Sequence, residues 1–304
     1  MDLFESKNIS PMLLNSASSP FDDKNYIFEL KLDGIRCIAY LDKDKTILRN
    51  KRNKDVTEIY PELKNIHKFV KHRCILDGEL VALNNDGTPN FFALQKRSLM
   101  TDKFKIELES EKNKVNFVAY DILYLKNKDL TTLPLIERKK LLEENIVDNE
   151  FISKSRYIFE KGIEFFNLTK KLGLEGIVAK KVDGKYVIGK RTSEWIKIKN
   201  LIDEDLIICG VLLDENNQIK DLILGESKNK KLTYRGKVFL NISKEEQKTI
   251  LNFAKKSKVA TPHFENLNPN IIWIKPSLIC TIQYMMKTRD GNMRQPVFKG
   301  LRLD

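Results

Sequence analysis

Short apolar runs, separated by glycine, asparagine and charged residues, dominate the first 200 residues and predict β-strands. These strands are expected at 26–33, 36–42, 45–50, 75–83, 115–125, 175–181 and 194–199. Three other segments repeat apolar residues at helical spacing, at 91–99, 135–144 and 161–172. Gly173 follows the last of them, as expected for a helix C-terminus. Because the first three strands are consecutive, they predict a β-meander.

The pattern changes after residue 205, where strands outnumber helices more strongly. Strands are predicted at 206–213, 222–224, 232–239, 271–274 and 279–286, with one helix at 244–255. Such a set indicates a small β-barrel. Residues 200–205 have the character of a hinge, so the sequence predicts an α+β domain at 1–200 and a barrel at 201–304.

Composition and charge limit the classes of molecule that this protein is expected to bind. Among 304 residues, 54 Lys and Arg against 42 Asp and Glu give a net charge of +12, which favours a polyanion such as nucleic acid. A lysine excess can also reflect a genome poor in G and C, so the charge alone does not decide.

Neither a disulfide framework nor a zinc site is predicted, because the four cysteines lack CxxC spacing and the chain has three histidines. The first residues resemble no signal peptide, and no window holds the roughly 18 apolar residues of a membrane helix. We therefore expect a cytoplasmic protein that binds no membrane.

Lys31 is the candidate nucleophile. It lies in the segment FELKLDGIR, where an apolar run delivers one lysine beside an acid, a glycine and an arginine. A free lysine has a pKa near ~10.4, so burial or nearby cations must lower that value before the amine can attack. Gly34 would let a ligand approach the backbone, and Arg36 could hold a phosphate or a sugar.

Four further segments carry polar residues in short apolar strands: Glu79 in DGELVAL, Tyr120 in FVAYDILYL, Glu175 in EGIVAKK, and the lysine pair 197 and 199 in WIKIKN. Each has an ordinary structural explanation, since strand carboxylates and alternating lysines commonly face solvent and a tyrosine commonly lies in a core. Together they supply the aromatic face, carboxylates and cations that a nucleotide site needs. Lys197 and Lys199 share one strand face and could point at one phosphate.

In this order, the segments KLDGIR, DGELV, FVAYDILYL, EGIVAKK and WIKIKN resemble the motif series of covalent nucleotidyltransferases, most closely ATP-dependent DNA ligases. The stretches KRNKDVT, YPEL and 186–195 also resemble the ligase domain of bacterial end-joining ligases. The resemblance implies a nucleotidyltransferase domain of ATP-grasp-like antiparallel sheets with flanking helices, followed by an OB-fold barrel. It also implies a lysyl-AMP intermediate, ATP as AMP donor and Mg²⁺ or Mn²⁺ as cofactor.

The resemblance assigns a role to each candidate residue. Lys31 would carry AMP, Glu29 would read the adenine amino group and Tyr120 would stack on the ring. Arg36 and Glu79 would hold the ribose, and Glu79 and Glu175 would bind the metal. The cations expected around the phosphates are Arg52, Arg191, Lys197 and Lys199, with Arg49 as the alternative to Arg52.

The ending RQPVFKGLRLD resembles the final family motif, whose arginine orients pyrophosphate, and Arg302 is its candidate. Relatives usually continue with a lysine after the aspartate, whereas this sequence stops at Asp304, so ATP activation could be slower. No additional DNA-binding domain is expected before residue 20. Domain closure around a nick and reopening between steps are expected.

The implied partner is nicked double-stranded DNA, bound by a monomer without sequence specificity. DNA end-binding or repair proteins are further candidates. Two alternatives remain: an RNA ligase or capping-type nucleotidyltransferase, which uses the same lysine chemistry, and a non-catalytic OB-fold protein that binds nucleic acid. Glu29 favours ATP, and the intact set of polar residues favours an enzyme.

Overall fold

The computed structural model describes residues 2–84, 87–228, 231–239, 242–287 and 291–302. The chain forms two compact units, Met1–Lys199 and Asn200–Asp304. Leu303 and Asp304, which end the predicted final motif, lie outside the described residues.

The first unit contains two sheets and five α-helices within its described residues. The strands are β1 Leu13–Ser16, β2 Asp23–Leu30, β3 Ile35–Leu41, β4 Thr46–Asn50, β5 Cys74–Ala82, β6 Val115–Leu125, β7 Lys128–Asp129, β8 Ile152–Lys154, β9 Tyr157–Glu160, β10 Gly176–Lys181 and β11 Arg191–Lys199. The helices are α1 Leu3–Ser6, α2 Phe91–Ser98, α3 Lys103–Lys112, α4 Leu135–Asn145 and α5 Gly162–Lys171. Three 3₁₀ turns follow β4 at Thr57–Ile59, Pro61–Leu63 and Ile66–Phe69.

One sheet has the order β1-β11-β10-β2-β9, and the other has the order β4-β3-β5-β6-β7, with β8 paired to β6. Two pairs, β1 with β11 and β6 with β8, are parallel. The other strand pairs of this unit are antiparallel, as predicted.

The predicted meander is only half right. β3 and β4 form the expected hairpin, but β2 pairs with β9 and β10 in the other sheet. Residues 31–34 therefore carry the chain from one sheet to the next. Local alternation of apolar residues cannot distinguish a hairpin partner from a strand of a second sheet, since both bury alternate residues. The candidate nucleophile lies at this crossover.

Three buried clusters place the two sheets in layers. Ile38, Tyr40 and Ile75 of one sheet pack with Trp195 of the other. The outer face of the β3–β5 sheet is covered by a larger cluster that includes Leu142 of α4. Phe165 and Phe166 of α5 cover the outer face of the β2–β10 sheet. A site at the crossover is thus walled by both sheets.

The second unit is one antiparallel sheet with a single helix within its described residues. Its elements are β12 Ile202–Leu213, β13 Ile219–Lys228, β14 Lys231–Phe239, α6 Lys244–Lys256, β15 Ile272–Tyr284 and β16 Val297–Arg302, in the sheet order β14-β13-β12-β15-β16. Ile250 and Ala254 of α6 are buried in the same cluster as the strand residues Leu206, Leu224 and Cys280. Ser243 and Glu246 form a capping box that begins the helix.

The predicted strands 271–274 and 279–286 belong to one strand, β15. Its pairing with β12 jumps from Trp273 to Leu278, so the residues around Pro276 leave the ladder. Proline lacks a backbone N–H, which explains why the sequence pattern breaks there. The prediction missed α1, β1, α3, β7, β8, β9 and β16, because most are short and lack a clear apolar period.

None of the helices in the described part of the chain is long and apolar enough to cross a membrane. The helices that cover the sheets are amphipathic instead. In α4 the buried positions are Leu135, Arg138, Lys139, Leu142 and Asn145. Two of these buried residues are cations, which require partners inside the protein.

Arg138 pairs with Asp121 of β6, and both side chains are fully buried. The guanidinium donates to both carboxylate oxygens at 2.8 Å and also to the carbonyl oxygens of Leu133 and Gly184. This bidentate pair fastens α4 to the sheet that carries Tyr120. Removing one partner would leave a buried charge without compensation.

We expect Arg138→Met to lower the free energy of unfolding of the first unit by about 3–5 kcal/mol, because Asp121 loses its counter-ion. Urea unfolding followed by Trp195 fluorescence, in a Trp273→Phe background, measures this unit alone. Arg156→Met is the matched control, since Arg156 is 79% exposed and pairs with Glu143 and Asp148 at the surface. The control substitution should lower the free energy of unfolding by less than about 1 kcal/mol. An equal decrease for both variants would contradict the account.

Candidate active site

A pocket opens at the crossover between the two sheets. Its lining residues are Leu14, Glu29, Leu30, Lys31, Leu32, Arg36, Glu79, Tyr120, Val178, Lys180 and Trp195. Five sequence-predicted site residues, Glu29, Lys31, Arg36, Glu79 and Tyr120, are among them. They come from β2, the crossover, β3, β5 and β6, and tertiary structure alone brings them together.

Strand alternation explains one wall of the pocket. Glu29 lies opposite Val178 in the β2–β10 pair, and Lys197 lies opposite the same residue in the β10–β11 pair. Since directly opposed side chains share a sheet face, Glu29, Lys180 and Lys197 lie on one face. The alternating lysines of β11 are therefore half-buried on the pocket side of the sheet.

Backbone pairing holds Lys31 beside Glu175. The Lys31 amide donates to the carbonyl of Gly176 at 2.9 Å, which extends the β2–β10 ladder by one residue. The Lys31 ammonium Nζ lies 2.9 Å from Glu175 Oε1, and Lys199 Nζ lies 3.5 Å from the same oxygen. Gly176 has φ of +135°, and a side chain there would clash with the carbonyl of Ile198.

Lys197 adds a further cation beside Lys31 and Lys199, although it does not line the pocket itself. Desolvation by partial burial lowers its pKa, and the positive charges of Lys199, Lys31 and Arg191 lower it further. Lys199, Lys31 and Arg191 therefore lie close enough to Lys197 to act on its charge. A polyanionic group such as a phosphate would relieve their repulsion.

Glu79 faces Lys31 from the opposite sheet. Burial raises the pKa of its carboxyl to about 8, although Lys31 and Arg36 oppose the shift. Gly34 makes this closeness possible, because a side chain there would clash with the carbonyl of Leu80 and with the Glu79 side chain. From the sequence, Gly34 was expected to make room for a ligand. In the structure, β5 itself takes the space beside Gly34.

Arg36 is anchored by the protein interior. It donates to both carboxylate oxygens of the fully buried Asp77, at 3.0 and 2.6 Å, and to the carbonyl of Met12 at 2.5 Å. The Tyr186 hydroxyl donates to the same carboxylate at 2.7 Å. These contacts fix the guanidinium at the pocket wall, so it could contact a ligand with little further loss of side-chain entropy.

Aromatic rings and a buried lysine form the other end of the pocket. The Tyr120 and Trp195 rings meet edge to face with centroids 5.9 Å apart. Lys180 Nζ lies 4.4 Å from the first centroid and 4.1 Å from the second. Tyr120 is half-buried and lines the pocket, so part of its ring is open to a ligand.

Glu29 is surrounded by donors. Its Oε2 accepts from Ser155 Oγ at 2.8 Å and from Lys180 Nζ at 3.0 Å, and its Oε1 lies 2.5 Å from Lys139 Nζ. Burial alone would raise the pKa of Glu29, but the two lysines outweigh it and lower the pKa below the ordinary value. The carboxylate is ionised and can only accept hydrogen bonds.

Two predicted phosphate-site arginines lie outside the pocket lining. Arg52 is exposed on the turn after β4. Its neighbour Arg49 is half-buried and donates to the carbonyl of Asn53. Arg191 begins β11 and donates to the carbonyl of Leu14, a pocket residue.

Arg302 belongs to the second unit. Its Nε lies 3.3 Å from Asp205 Oδ1, which also accepts from the Thr281 hydroxyl at 2.6 Å. The side chains of Arg302 and Asp205 are about half exposed. The arginine is thus held at the surface of its own sheet, with donors still available to another group.

Sequence reasoning missed the residues that support the site, namely Asp77, Lys139, Ser155, Lys180, Tyr186 and Trp195. Asp77 and Lys180 lay inside the segments DGELV and EGIVAKK, so the segments were found but these residues had no role. Lys139 was read as part of an ordinary amphipathic helix. The sequence did contain one signal for Lys139, because this lysine falls on the helix face that packs against the protein. An unpaired charge is rarely buried, so such a lysine indicates an internal partner.

The described residues contain no group of three or more His, Cys, Asp or Glu side chains that could hold a metal ion by themselves. The site instead offers two carboxylates, Glu79 of β5 in the pocket lining and Glu175, which precedes β10 and pairs with the pocket residue Lys31. This fits Mg²⁺, which commonly takes one or two protein carboxylates and completes its shell with phosphates and water.

Glu79 should make stability depend on pH when no divalent cation is present. Unfolded Glu79 loses its proton near pH 4.5, whereas the folded carboxyl holds it to about 8. Between these values the folded state binds more protons, so the free energy of unfolding falls as pH rises. The melting temperature of Glu79→Gln should therefore exceed that of wild type by a margin that grows as the pH rises from 4.5 to about 8.

Thermal unfolding in EDTA, followed by circular dichroism, measures this difference. Glu164→Gln is the control, because that side chain is 79% exposed on α5. A constant gap between Glu79→Gln and wild type across the window would contradict the raised pKa of Glu79.

Two family models match this chain. Residues 11–199 match the ATP dependent DNA ligase domain, and residues 215–304 match the ATP dependent DNA ligase C terminal region. The first match spans nearly all of the unit that contains the pocket.

Two similar curated proteins differ greatly in length. The chain is 29% identical over 297 residues to the SPbeta prophage-derived DNA ligase-like protein LigB of Bacillus subtilis, covering 97% of this chain and 99% of that protein. It is 30% identical over 308 residues to the multifunctional non-homologous end joining protein LigD of Mycolicibacterium smegmatis, covering 98% of this chain. That match spans only 39% of LigD.

Solved structures agree in fold. A mycobacterial DNA ligase D complexed with ATP and MES has a TM-score of 0.58 at 26% identity, covering 98% of this chain and 96% of that chain. A Lig E DNA ligase has a TM-score of 0.64 at 16% identity, covering 95% of this chain and 99% of that chain. At this identity the likeness supports the fold alone. These findings confirm the predicted α+β nucleotidyltransferase unit and OB-fold unit. The chain belongs to the ATP-dependent DNA ligase family.

Proposed function

We propose that this enzyme seals nicks in duplex DNA through an adenylate carried on Lys31. The observation that supports this best is the position of the Lys31 ammonium, 2.9 Å from Glu175 at the wall of a pocket with an aromatic end. The Lys31 side chain is a potential nucleophile that lies among carboxylates and cations, with Lys199 on the same carboxylate oxygen. The family match supplies the reaction class.

In the first step, the neutral Lys31 amine attacks the α-phosphorus of ATP. A nitrogen–phosphorus bond forms, the bond to the bridging oxygen breaks, pyrophosphate leaves, and the nitrogen gives up one proton to the solvent. Lys197 and Lys199 would contact the α-phosphate, because both belong to the cation cluster around Lys31. Their charge would stabilise the charge that develops on its oxygens.

Glu79 and Glu175 would hold Mg²⁺, or Mn²⁺ in its place. Glu79 fits this role because its half-buried carboxyl has a raised pKa and lacks a close ion pair among the described contacts, a condition that a divalent cation would relieve. When bound, the ion would neutralise phosphate charge and polarise the reacting phosphorus. Glu175 would then exchange part of its contact with Lys31 for the metal.

The second and third steps use the same pocket. The 5′-phosphate oxygen at the nick attacks the phosphorus of lysyl-AMP, the nitrogen–phosphorus bond breaks, and Lys31 recovers a proton. The 3′-hydroxyl then attacks the activated 5′-phosphate, and AMP leaves as the DNA backbone is joined. Arg36 and the cation cluster would orient these phosphates.

Charge and relatives support the proposed substrate and cellular role. The net charge of +12 suits the phosphate backbone of duplex DNA, whose binding weakens as salt rises. The end-joining names of the LigD relatives support a role in DNA repair or end joining, with end-binding or repair proteins as partners. A cytoplasmic monomer is proposed as the working form.

Lys31→Ala should abolish covalent labelling by α-labelled ATP, because the transferred AMP loses its acceptor. The expected decrease in the rate of protein labelling is at least ~10³-fold. A denaturing gel after incubation with Mg²⁺ measures it, and Lys185→Ala is the control because that lysine is exposed and does not line the pocket. Label on the Lys31→Ala protein would contradict the proposal.

The same assay separates the competing enzyme classes. Wild-type label should come from ATP and not from GTP, and it should leave the protein when nicked DNA is added and sealed. Labelling by GTP would favour a capping-type enzyme, and transfer restricted to nicked RNA would favour an RNA ligase.

Arg302→Ala should slow protein adenylation by roughly 10²-fold while leaving the sealing of a pre-adenylated nick close to wild type, if this arginine orients the leaving pyrophosphate. Single-turnover assays of the two steps measure the difference. Lys299→Ala, an exposed cation on the same strand, is the control. Equal slowing of both steps by Arg302→Ala would assign the residue a role other than pyrophosphate orientation.

A further inference from the structure

Lys139 reaches the predicted adenine end of the pocket from a helix that the ligase motifs do not include. It lies on α4, and its side chain is 2% exposed. Its ammonium is 2.5 Å from Glu29 Oε1 and 5.3 Å from the centroid of the Tyr157 ring. Such complete burial of a lysine requires a specific partner, and Glu29 is that partner.

The other oxygen of Glu29 is also occupied. Lys180 Nζ and Ser155 Oγ both donate to Oε2, and Lys180 is held between the carboxylate and the rings of Tyr120 and Trp195. Oε1 is in ion-pair contact with Lys139 but has no hydrogen-bond partner among the described residues. Oε1 is therefore the carboxylate oxygen that still lacks a donor, and Glu29 lines the pocket whereas Lys139 does not.

We propose that Lys139 is a positioning residue for base specificity: together with Lys180 and Ser155, it fixes Glu29 as an ionised group that accepts one hydrogen bond from the nucleotide base. The proposal rests on the proposed function, in which Glu29 reads adenine. It adds residues from α4, β10 and the loop before β9 that set how Glu29 does so.

The chemistry favours adenine over guanine. Adenine has an amino group at position 6, whose N–H donates to a carboxylate. Guanine has an oxygen acceptor at that position, which would face the carboxylate with no proton between them. A site with buried polar groups discriminates strongly when a base leaves such a group unpaired.

A fixed carboxylate is required for this discrimination. Without Lys139, one Glu29 oxygen would lose its charged neighbour, and the carboxylate could rotate or take up a proton. A protonated carboxyl group could donate to the guanine oxygen, so selection would weaken. Lys180 cannot replace Lys139, since its ammonium is already bound to the other oxygen and packed on two rings.

The decisive comparison uses ATP and purine riboside triphosphate, which lacks the amino group at position 6. Protein adenylation by each nucleotide, after removal of bound AMP with pyrophosphate, gives a ratio of kcat/KM values. Lys139→Met should reduce the wild-type preference for ATP by about 10-fold. Lys140→Met, an exposed lysine of the same helix, should leave the ratio unchanged.

A general structural defect would slow both nucleotides equally and leave their ratio unchanged, which would overturn the proposal. Ser155→Ala is a milder variant in case Lys139→Met folds poorly, and it should lower the same ratio by a few-fold. In a double-mutant cycle, Lys139→Met should lower the ratio no further once Glu29→Gln is present. Additive losses would show that Lys139 does not act through Glu29.

Failure of the proposed function gives a different result. If wild type is adenylated equally well by both nucleotides, Glu29 does not read the amino group at position 6, and the proposal falls with it. If wild type forms no covalent adenylate at all, the ligase mechanism itself is contradicted. A preserved wild-type preference with an unchanged ratio in Lys139→Met refutes only the role of Lys139.

Discussion

The pairing of β2 with β10 is the constraint on which the site depends. It places Lys31, one residue beyond β2, against Gly176, and thereby puts the ammonium beside Glu175. Because β10 also pairs with β11, the same register puts Lys197 on the sheet face of Glu29. A slip of one residue would turn these side chains to the opposite face, which α5 covers with apolar residues.

Charge burial is the second feature that organises the first unit. Arg138 and Lys139 are adjacent on α4, and each reaches a different buried carboxylate. Buried ion pairs contribute little net stability, because the desolvation of both charges offsets their attraction. Their value here is geometric, since they fix the position of α4 and the direction of Glu29 at the edge of the pocket.

The sequence predicted much of this architecture because its signals are local. The strand 115–125 and the helices 91–99 and 135–144 have clear periodicity, and the structure contains them within a few residues. The lysine pair of β11 was correctly placed on one face for the same reason. The five ordered segments identified the family, which the comparisons confirm.

Non-local features escaped prediction. The sheet change after β2 depends on which distant strand each edge meets, and no residue pattern near Lys31 encodes that choice. The partners of Glu29 come from α4, β10 and the loop before β9, far apart in the sequence. The roles of all the predicted site residues remain predictions; Arg52, Arg191 and Arg302 in addition lie outside the pocket lining.

A crystal structure of the protein after incubation with ATP and Mg²⁺ would test the central claim most directly. The account predicts continuous electron density between Lys31 Nζ and the phosphorus of AMP, with the base against Tyr120 and its amino nitrogen within hydrogen-bond distance of Glu29. Density joining AMP to another lysine would contradict Lys31 as the nucleophile. A base bound away from Glu29 would contradict the assignment of the adenine end of the pocket.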